Sequence, residues 1–139
     1  MTVDVKVKFP YRYDEVGSLL RQESLKKARE DFKTGKIDVD ALHQVEDKEV
    51  QRIINKQVDL GYKAVTDGEF RRSWWHLDFF DGLKGAHFFE PEKGFIFHGL
   101  ETRKGGVKIT DKLAYNPEHP FFADFTKFQA TVPEGITAK

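Results

Sequence analysis

The stretch Lys63-Ala-Val-Thr-Asp-Gly-Glu-Phe-Arg-Arg-Ser-Trp-Trp-His-Leu-Asp-Phe-Phe80 begins as a short apolar run, breaks at Asp67-Gly68, and continues at once into carboxylate, guanidinium and indole groups. In a parallel α/β sheet or barrel the strand interior is buried on both faces, so polar side chains gather at its C-terminal tip, where ligands bind. Asp67 and Glu69 are expected at such a tip. Gly68 lets the chain turn between them without a Cβ penalty. Arg71 and Arg72 follow closely enough to pair with a carboxylate or with an anionic ligand. Because a surface ion pair is the commoner fate of such residues, Glu69 acquires a functional reading only from its place at a strand end.

Upstream, the strand read over 62–66 is preceded by two helical patterns. Ser24 is a candidate cap for a helix with Leu25, Ala28 and Phe32 at helical spacing, ended by Gly35. Asp38 or Asp40 opens a longer one along Leu42, Val45, Ile53, Ile54, Gln57 and Leu60, closed by Gly61. Before these, Tyr11 to Ser18 reads as a first core strand ending in the turn Val16-Gly17-Ser18, and Val3 to Phe9 alternates apolar and charged residues up to Pro10, as an edge strand does. Strand, helical crossover, strand is the start of a βαβ unit with a parallel pair.

Downstream, Arg72 to Phe80 reads as an aromatic helix running into the turn cluster Asp81-Gly82-Leu83-Lys84-Gly85. The texture then changes. Ala86 to Phe89, Gly94 to Gly99 and Val107 to Leu113 are short β-like runs separated by Gly and Pro, a hairpin excursion rather than further crossovers. Phe121, Phe122, Phe125 and Phe128 recur at helical spacing, and that helix expects a sheet beneath it. The organisation expected is a single partial domain: an extension over 1–10, two βα units over 11–85, and the excursion with its helix over 86–139.

Composition narrows the function. With 139 residues, 39% of them hydrophobic and thirteen of them Phe, one modest core is the ceiling. Lys plus Arg and Asp plus Glu both count 23, which disfavours nucleic acid as a partner. No apolar run approaches a membrane span and no secretory segment opens the chain, so a cytoplasmic location is expected and a membrane partner is not. Cys is absent, which removes thiol nucleophiles and thiolate-bound metal. His43, His87, His98 and His119 lack metal spacing and read as surface or loop residues. His76 and Asp78, two apart, point in different directions on a helix. Trp74, Trp75, Phe79 and Phe80 read as packing residues, with a pterin stacked on an indole as the lesser alternative. Lys104 to Lys108 lacks the frame of a phosphate loop and reads as a hairpin turn.

Gly17-Ser18, followed by Asp67-Gly68-Glu69 with its Arg-Arg and aromatic run and then Glu101-Thr-Arg-Lys104, resembles the cobalamin-independent methionine synthase family, in particular the short bacterial proteins similar to its C-terminal catalytic domain. The resemblance covers most of the chain. It implies an α/β fold that is the N-terminal portion of a (β/α)8 TIM barrel with a β-hairpin excursion, incomplete within this chain. The activity implied is methyl transfer from methyltetrahydrofolate polyglutamate to the sulfur of homocysteine, with zinc holding the thiolate. Matched residue by residue, Val16, Gly17 and Ser18 resemble the turn that holds the homocysteine carboxylate, Glu69 the carboxylate that receives its ammonium group, and Arg103 an arginine near the folate. No residue is matched to a catalytic role.

The departures are as informative. The family's zinc ligands include two Cys on later strands, and a whole barrel needs roughly 200 residues, so the expectation is a fragment that carries part of the homocysteine site, no zinc site and no activity by itself. Left without strand neighbours, it is expected to be poorly ordered or self-associated. Two rival readings remain open: a non-catalytic module that binds an amino acid or assembles with a partner, and a small hydrolase using Asp67 and Glu69, which is disfavoured because neighbouring strand residues face opposite ways.

Overall fold

A computed structural model describes residues 15–139. The elements run α1 (Glu23–Lys33), α2 (Val39–Asp59), β1 (Ala64–Val65), α3 (Leu77–Asp81), β2 (Lys84–Phe89), β3 (Ile96–Phe97), β4 (Leu100–Glu101), β5 (Gly106–Ala114), α4 (Pro120–Thr131) and β6 (Thr137–Ala138). Among the described residues this is a mixed α/β chain whose strands form three two-stranded sheets, none of them closed. The strand expected over 3–9, and residues 11–14 of the expected first core strand, lie outside the described residues; 15–18, the rest of that strand, is irregular backbone. No helix among the described residues is long and apolar enough to cross a membrane. The described residues divide into two compact units, 15–70 with 128–139, and 71–127.

The first unit is built on two helices. Asp38 caps α2 as expected, its Oδ1 accepting the Ala41 N–H at 2.8 Å. The expected cap of α1 is corrected: Gln22 is the N-cap and supplies no side-chain bond. Ser24 instead donates its hydroxyl to Glu49 Oε1 at 2.7 Å, and Arg52 Nε donates to the other oxygen at 2.7 Å. These bonds, with Arg52 foremost, hold the Glu49 carboxyl below its usual range against the opposing effect of burial. Glu46, equally buried, is paired with Arg29 at 3.2 Å. Buried carboxylates are tolerated only when paired in this way, and they lie on the buried face of α2, outside the stripe expected there, in which Gln57 was the one polar member. Leu60, expected on that face, is 63% exposed, and Phe32 of α1 is 42% exposed.

Leu25, Val50, Ile53, Ile54, Val65, Phe70 and Phe128 form the core of this unit, with Leu19, Val45, Tyr62, Val132 and Ile136 against it. Val65 belongs to β1, shorter than the strand read over 62–66, and its partner is a correction to the sequence reading. β6 pairs parallel with β1, Ala64 opposite Thr137 and Val65 opposite Ala138. The bonds Thr137 N to Lys63 O at 2.9 Å and Lys139 N to Val65 O at 3.0 Å complete the ladder. The strand expected to be without neighbours has one, supplied by the last residues of the chain.

The second unit is a bulged antiparallel pair, β2 with β5, beside the short helix α3. The aromatic helix expected from Arg72 is confined to Leu77–Asp81, because Asp78 turns the preceding backbone into a loop, accepting the N–H groups of Ser73 at 2.6 Å and Trp74 at 3.1 Å. β3 and β4 form a separate hairpin whose two turn residues, His98 and Gly99, have φ of 49° and 79°, the signature of a mirror-image two-residue turn. Residues 102–105 join β4 to β5 as irregular backbone rather than as the hairpin turn expected at Lys104 to Lys108, and Lys108 itself lies within β5. His119 lies in the loop before α4, one of its two expected settings, but it is not at the surface. It is buried, its Nε2 lies 3.0 Å from the Phe79 carbonyl, and its Nδ1 accepts the Phe121 N–H at 3.2 Å. A Cβ on Gly82 would lie 2.2 Å from that Nε2, so glycine makes room for the imidazole. Of the expected aromatic packing residues, Trp75 is 71% exposed and Phe79 and Phe80 are each 45% exposed.

Candidate functional site

Beyond β1 the chain leaves the core through Thr66, and its backbone is held by a single buried side chain. Gln57 of α2 accepts the Thr66 N–H at 3.0 Å and donates to the Thr66 carbonyl at 2.8 Å. That fixes where the strand ends. Thr66 Oγ1 then accepts the Gly68 N–H at 3.0 Å, and Asp67 Oδ1 accepts the Glu69 N–H at 2.9 Å. Gly68 has φ of 70°, and a Cβ there would lie 2.9 Å from the Phe70 ring. Glycine is therefore required twice over, for conformation and for space.

Glu69 follows with φ of 57°, one of two described non-glycine residues in the left-handed region. Such a conformation costs of order 1 to 3 kcal/mol and persists only where the surroundings over-determine it. Here they do. Ser18 donates its hydroxyl to Glu69 Oε2 at 2.7 Å, Arg21 Nη2 donates to the Glu69 carbonyl at 2.6 Å, and Leu19 N donates to the Gly68 carbonyl at 3.1 Å. One residue on, Arg29 Nη2 donates to the Phe70 carbonyl at 2.5 Å while Phe70 itself is fully buried. The residues that the sequence singles out at 18 and 69, distant along the chain, thus meet in one hydrogen bond. Val16 and Gly17 lie beside it in an exposed turn, Gly17 with φ of 84°.

Asp67, weighed above with Glu69 as the residues of a small hydrolase, spends Oδ1 on the backbone of Glu69. It is a turn-forming carboxylate. Arg71 Nε stands 3.8 Å from Asp124 and the Arg72 guanidinium lies 4.9 Å from the centre of the Phe121 ring.

Arg103 belongs to the second unit. Its guanidinium lies 3.9 Å from the centre of the Trp74 ring and Nη2 donates to the Ser73 carbonyl at 3.1 Å. The two line a cavity of about 660 Å³ whose walls include Leu77, Phe89, Phe95 and Val107. Gly105 completes it, since a Cβ at that position would lie 2.8 Å from the Trp74 indole. No group of three or more His, Asp or Glu among the described residues could hold a metal ion. Zinc of the kind implied by the resemblance does not fit this residue set, which also contains no Cys.

Gln57, Arg21 and Arg29 were missed as parts of the site. Gln57 stands out only as a polar residue on an apolar helical stripe, a signal that could have found it. The two arginines carry no signal, because what they hold at this site are backbone carbonyls.

No family model matches the chain. It is 44% identical over 117 residues to the uncharacterized protein YxjG of Bacillus subtilis, and 44% identical over 118 residues to YxjH of the same organism, spanning 31% of the length of each. It is 36% identical over 118 residues to a 5-methyltetrahydropteroyltriglutamate–homocysteine methyltransferase of Buchnera aphidicola, of which it spans 15%. Among solved structures, a Listeria monocytogenes protein provisionally named a vitamin-B12-independent methionine synthase superposes with a TM-score of 0.73 at 36% identity, over 93% of this chain and 35% of that one. By sequence and by backbone alike, this chain is related along most of its length to a short part of the cobalamin-independent methionine synthases.

Proposed function

We propose that the chain forms the amino-acid-binding corner of a homocysteine methyltransferase, with Glu69 receiving the substrate ammonium group and the turn Val16-Gly17-Ser18 receiving its carboxylate. The observation that carries the reading is the Ser18–Glu69 hydrogen bond at 2.7 Å, which brings the two halves of a zwitterion site together at a strand end. In this reading the chain is the beginning of a (β/α)8 barrel, acts in the cytoplasm, and takes its methyl group from methyltetrahydrofolate. Arg103 over Trp74 offers a cation and an aromatic face to that donor. Zinc, where the whole protein uses it, would keep the substrate sulfur ionised at neutral pH. This chain's own residues bind and orient the amino acid, and no metal step is assigned to them.

The test is calorimetric titration of the full chain with homocysteine and with methyltetrahydrofolate. Glu69→Gln should weaken homocysteine by about 1.5 to 3 kcal/mol, because a charged partner is lost, and leave the folate unchanged. Unchanged homocysteine binding, or an effect on folate alone, would refute the assignment. The absence of Cys also supports a second reading, a module that binds the amino acid without chemistry. Methyl transfer to homocysteine by the chain in zinc-containing buffer would exclude that one.

A further inference from the structure

We propose that Arg21 is the positioning residue of this site, holding Glu69 in its left-handed conformation so that the carboxylate meets both Ser18 and an incoming ammonium group; the ligand half of this claim rests on the homocysteine reading above. Glu69 lacks the side chain that makes positive φ easy, as Gly, Asn or Asp would. Its backbone is nonetheless bonded on both sides, the N–H by Asp67 Oδ1 at 2.9 Å and the carbonyl by Arg21 Nη2 at 2.6 Å. The first bond is local, two residues away, and forms in any turn of this sequence. The second spans 48 residues and is charge-assisted, so it carries tertiary information that the local bond lacks.

Arg21 is well placed to impose that geometry. It immediately precedes Gln22, the N-cap of α1, so its backbone is anchored at the start of a helix whose Leu25 is fully buried. Ser18, Leu19 and Arg21 each bond the 68–69 turn: the hydroxyl to the Glu69 carboxylate, the Leu19 N–H to the Gly68 carbonyl, and the guanidinium to the Glu69 carbonyl. Rotating Glu69 to negative φ would re-aim its carbonyl and side chain together, so loss of the Arg21 bond loosens the carboxylate without touching it. A residue acting in this way governs recognition of the ammonium group and leaves the carboxylate-binding turn alone.

The experiment titrates the full chain with homocysteine and with 4-mercaptobutyrate, the same molecule without its amino group. Arg21→Met should weaken homocysteine by about tenfold and leave 4-mercaptobutyrate within about twofold, and Arg21→Lys, which retains a cationic donor, should recover part of the loss. Equal weakening of both ligands would make Arg21 a merely structural residue and overturn the proposal, as would no weakening of either. If the wild-type chain binds neither ligand, the homocysteine reading fails and the positioning claim is judged without ligand. A double-mutant cycle of Ser18→Ala and Glu69→Gln, followed by urea unfolding, should then show coupling in the wild-type background that disappears with Arg21→Met, or with Arg21→Lys should the Met variant not fold. Coupling that survives the substitution, or that is absent from the wild type, overturns it.

Discussion

The two units spend their large apolar residues in opposite ways. In the first, seven side chains from two helices, a strand, the Phe70 turn and the end of α4 close a core, and the buried Gln57 and Glu46 beside it are bonded to Thr66 and Arg29. In the second, Phe95, Ile96, Phe97, Leu100 and Ile109 are each more than 60% exposed, and Ala86 and His119 are its fully buried residues. Hydrophobicity alone does not build a core. An apolar residue is buried when a second element lies across its face: Val65, on a strand of two residues, is buried in the cluster with α1 and α2 side chains, whereas Ile109, on a strand of nine, is exposed. The strained Glu69 sits on the unit able to hold it, because strain needs rigid surroundings.

The largest test of this contrast compares one phenylalanine from each unit. Phe70→Ala should destabilise the chain by about 3 to 5 kcal/mol, and Phe97→Ala, 63% exposed, by no more than about 0.5 kcal/mol. Urea unfolding measures both, and a Phe97→Ala cost comparable to that of Phe70→Ala would show that the second unit hides a core of its own.

Next comes Gly82→Ala, which asks whether His119 is the organising residue of the second unit. Its added methyl group would lie 2.2 Å from the imidazole, and overpacking of that kind costs about 1 to 3 kcal/mol. Amide hydrogen exchange should show the loss across β2 and β5 with the α1 and α2 amides unaffected; protection lost uniformly would mean that the units do not open separately.

The smallest effect concerns acid. The Glu49 carboxyl is held below the ordinary carboxyl value of 4.5 chiefly by the Arg52 hydrogen bond. A depressed carboxyl stabilises the fold above its unfolded value and loses that contribution as pH falls through the folded one. The α1–α2 pair should therefore weaken below about pH 4.5, and Glu49→Gln should flatten that part of the pH–stability curve. An unchanged slope would remove Glu49 as its source.

Much of this was legible beforehand, for reasons that differ by residue. Asp38 was readable as a cap and Gly35 as a helix end because those roles depend on neighbours a few residues away; Gly35 has φ of 72°. Gly68 was readable because a break from apolar to polar residues marks a strand end. Ser24 was misread because a cap and a bond to Glu49 use the same hydroxyl, and only the packing of α1 on α2 decides between them. Phe122 and Phe125 share the helical spacing of Phe128, yet they are 50% and 47% exposed whereas Phe128 is buried.

By itself the sequence determined α1, α2 and α4, the turn at Asp67-Gly68 and the absence of Cys, since each is a matter of local periodicity or of residue type, while the candidate pair Ser18 and Glu69 came from the family resemblance. The tertiary structure alone decided that β6 returns to pair with β1, that His119 is buried, and that Arg21 holds the Glu69 carbonyl. The physical reason is common to all three. A backbone carbonyl, a strand edge and a vacancy above a glycine carry no sequence signature, and the side chain that satisfies each is chosen by folding.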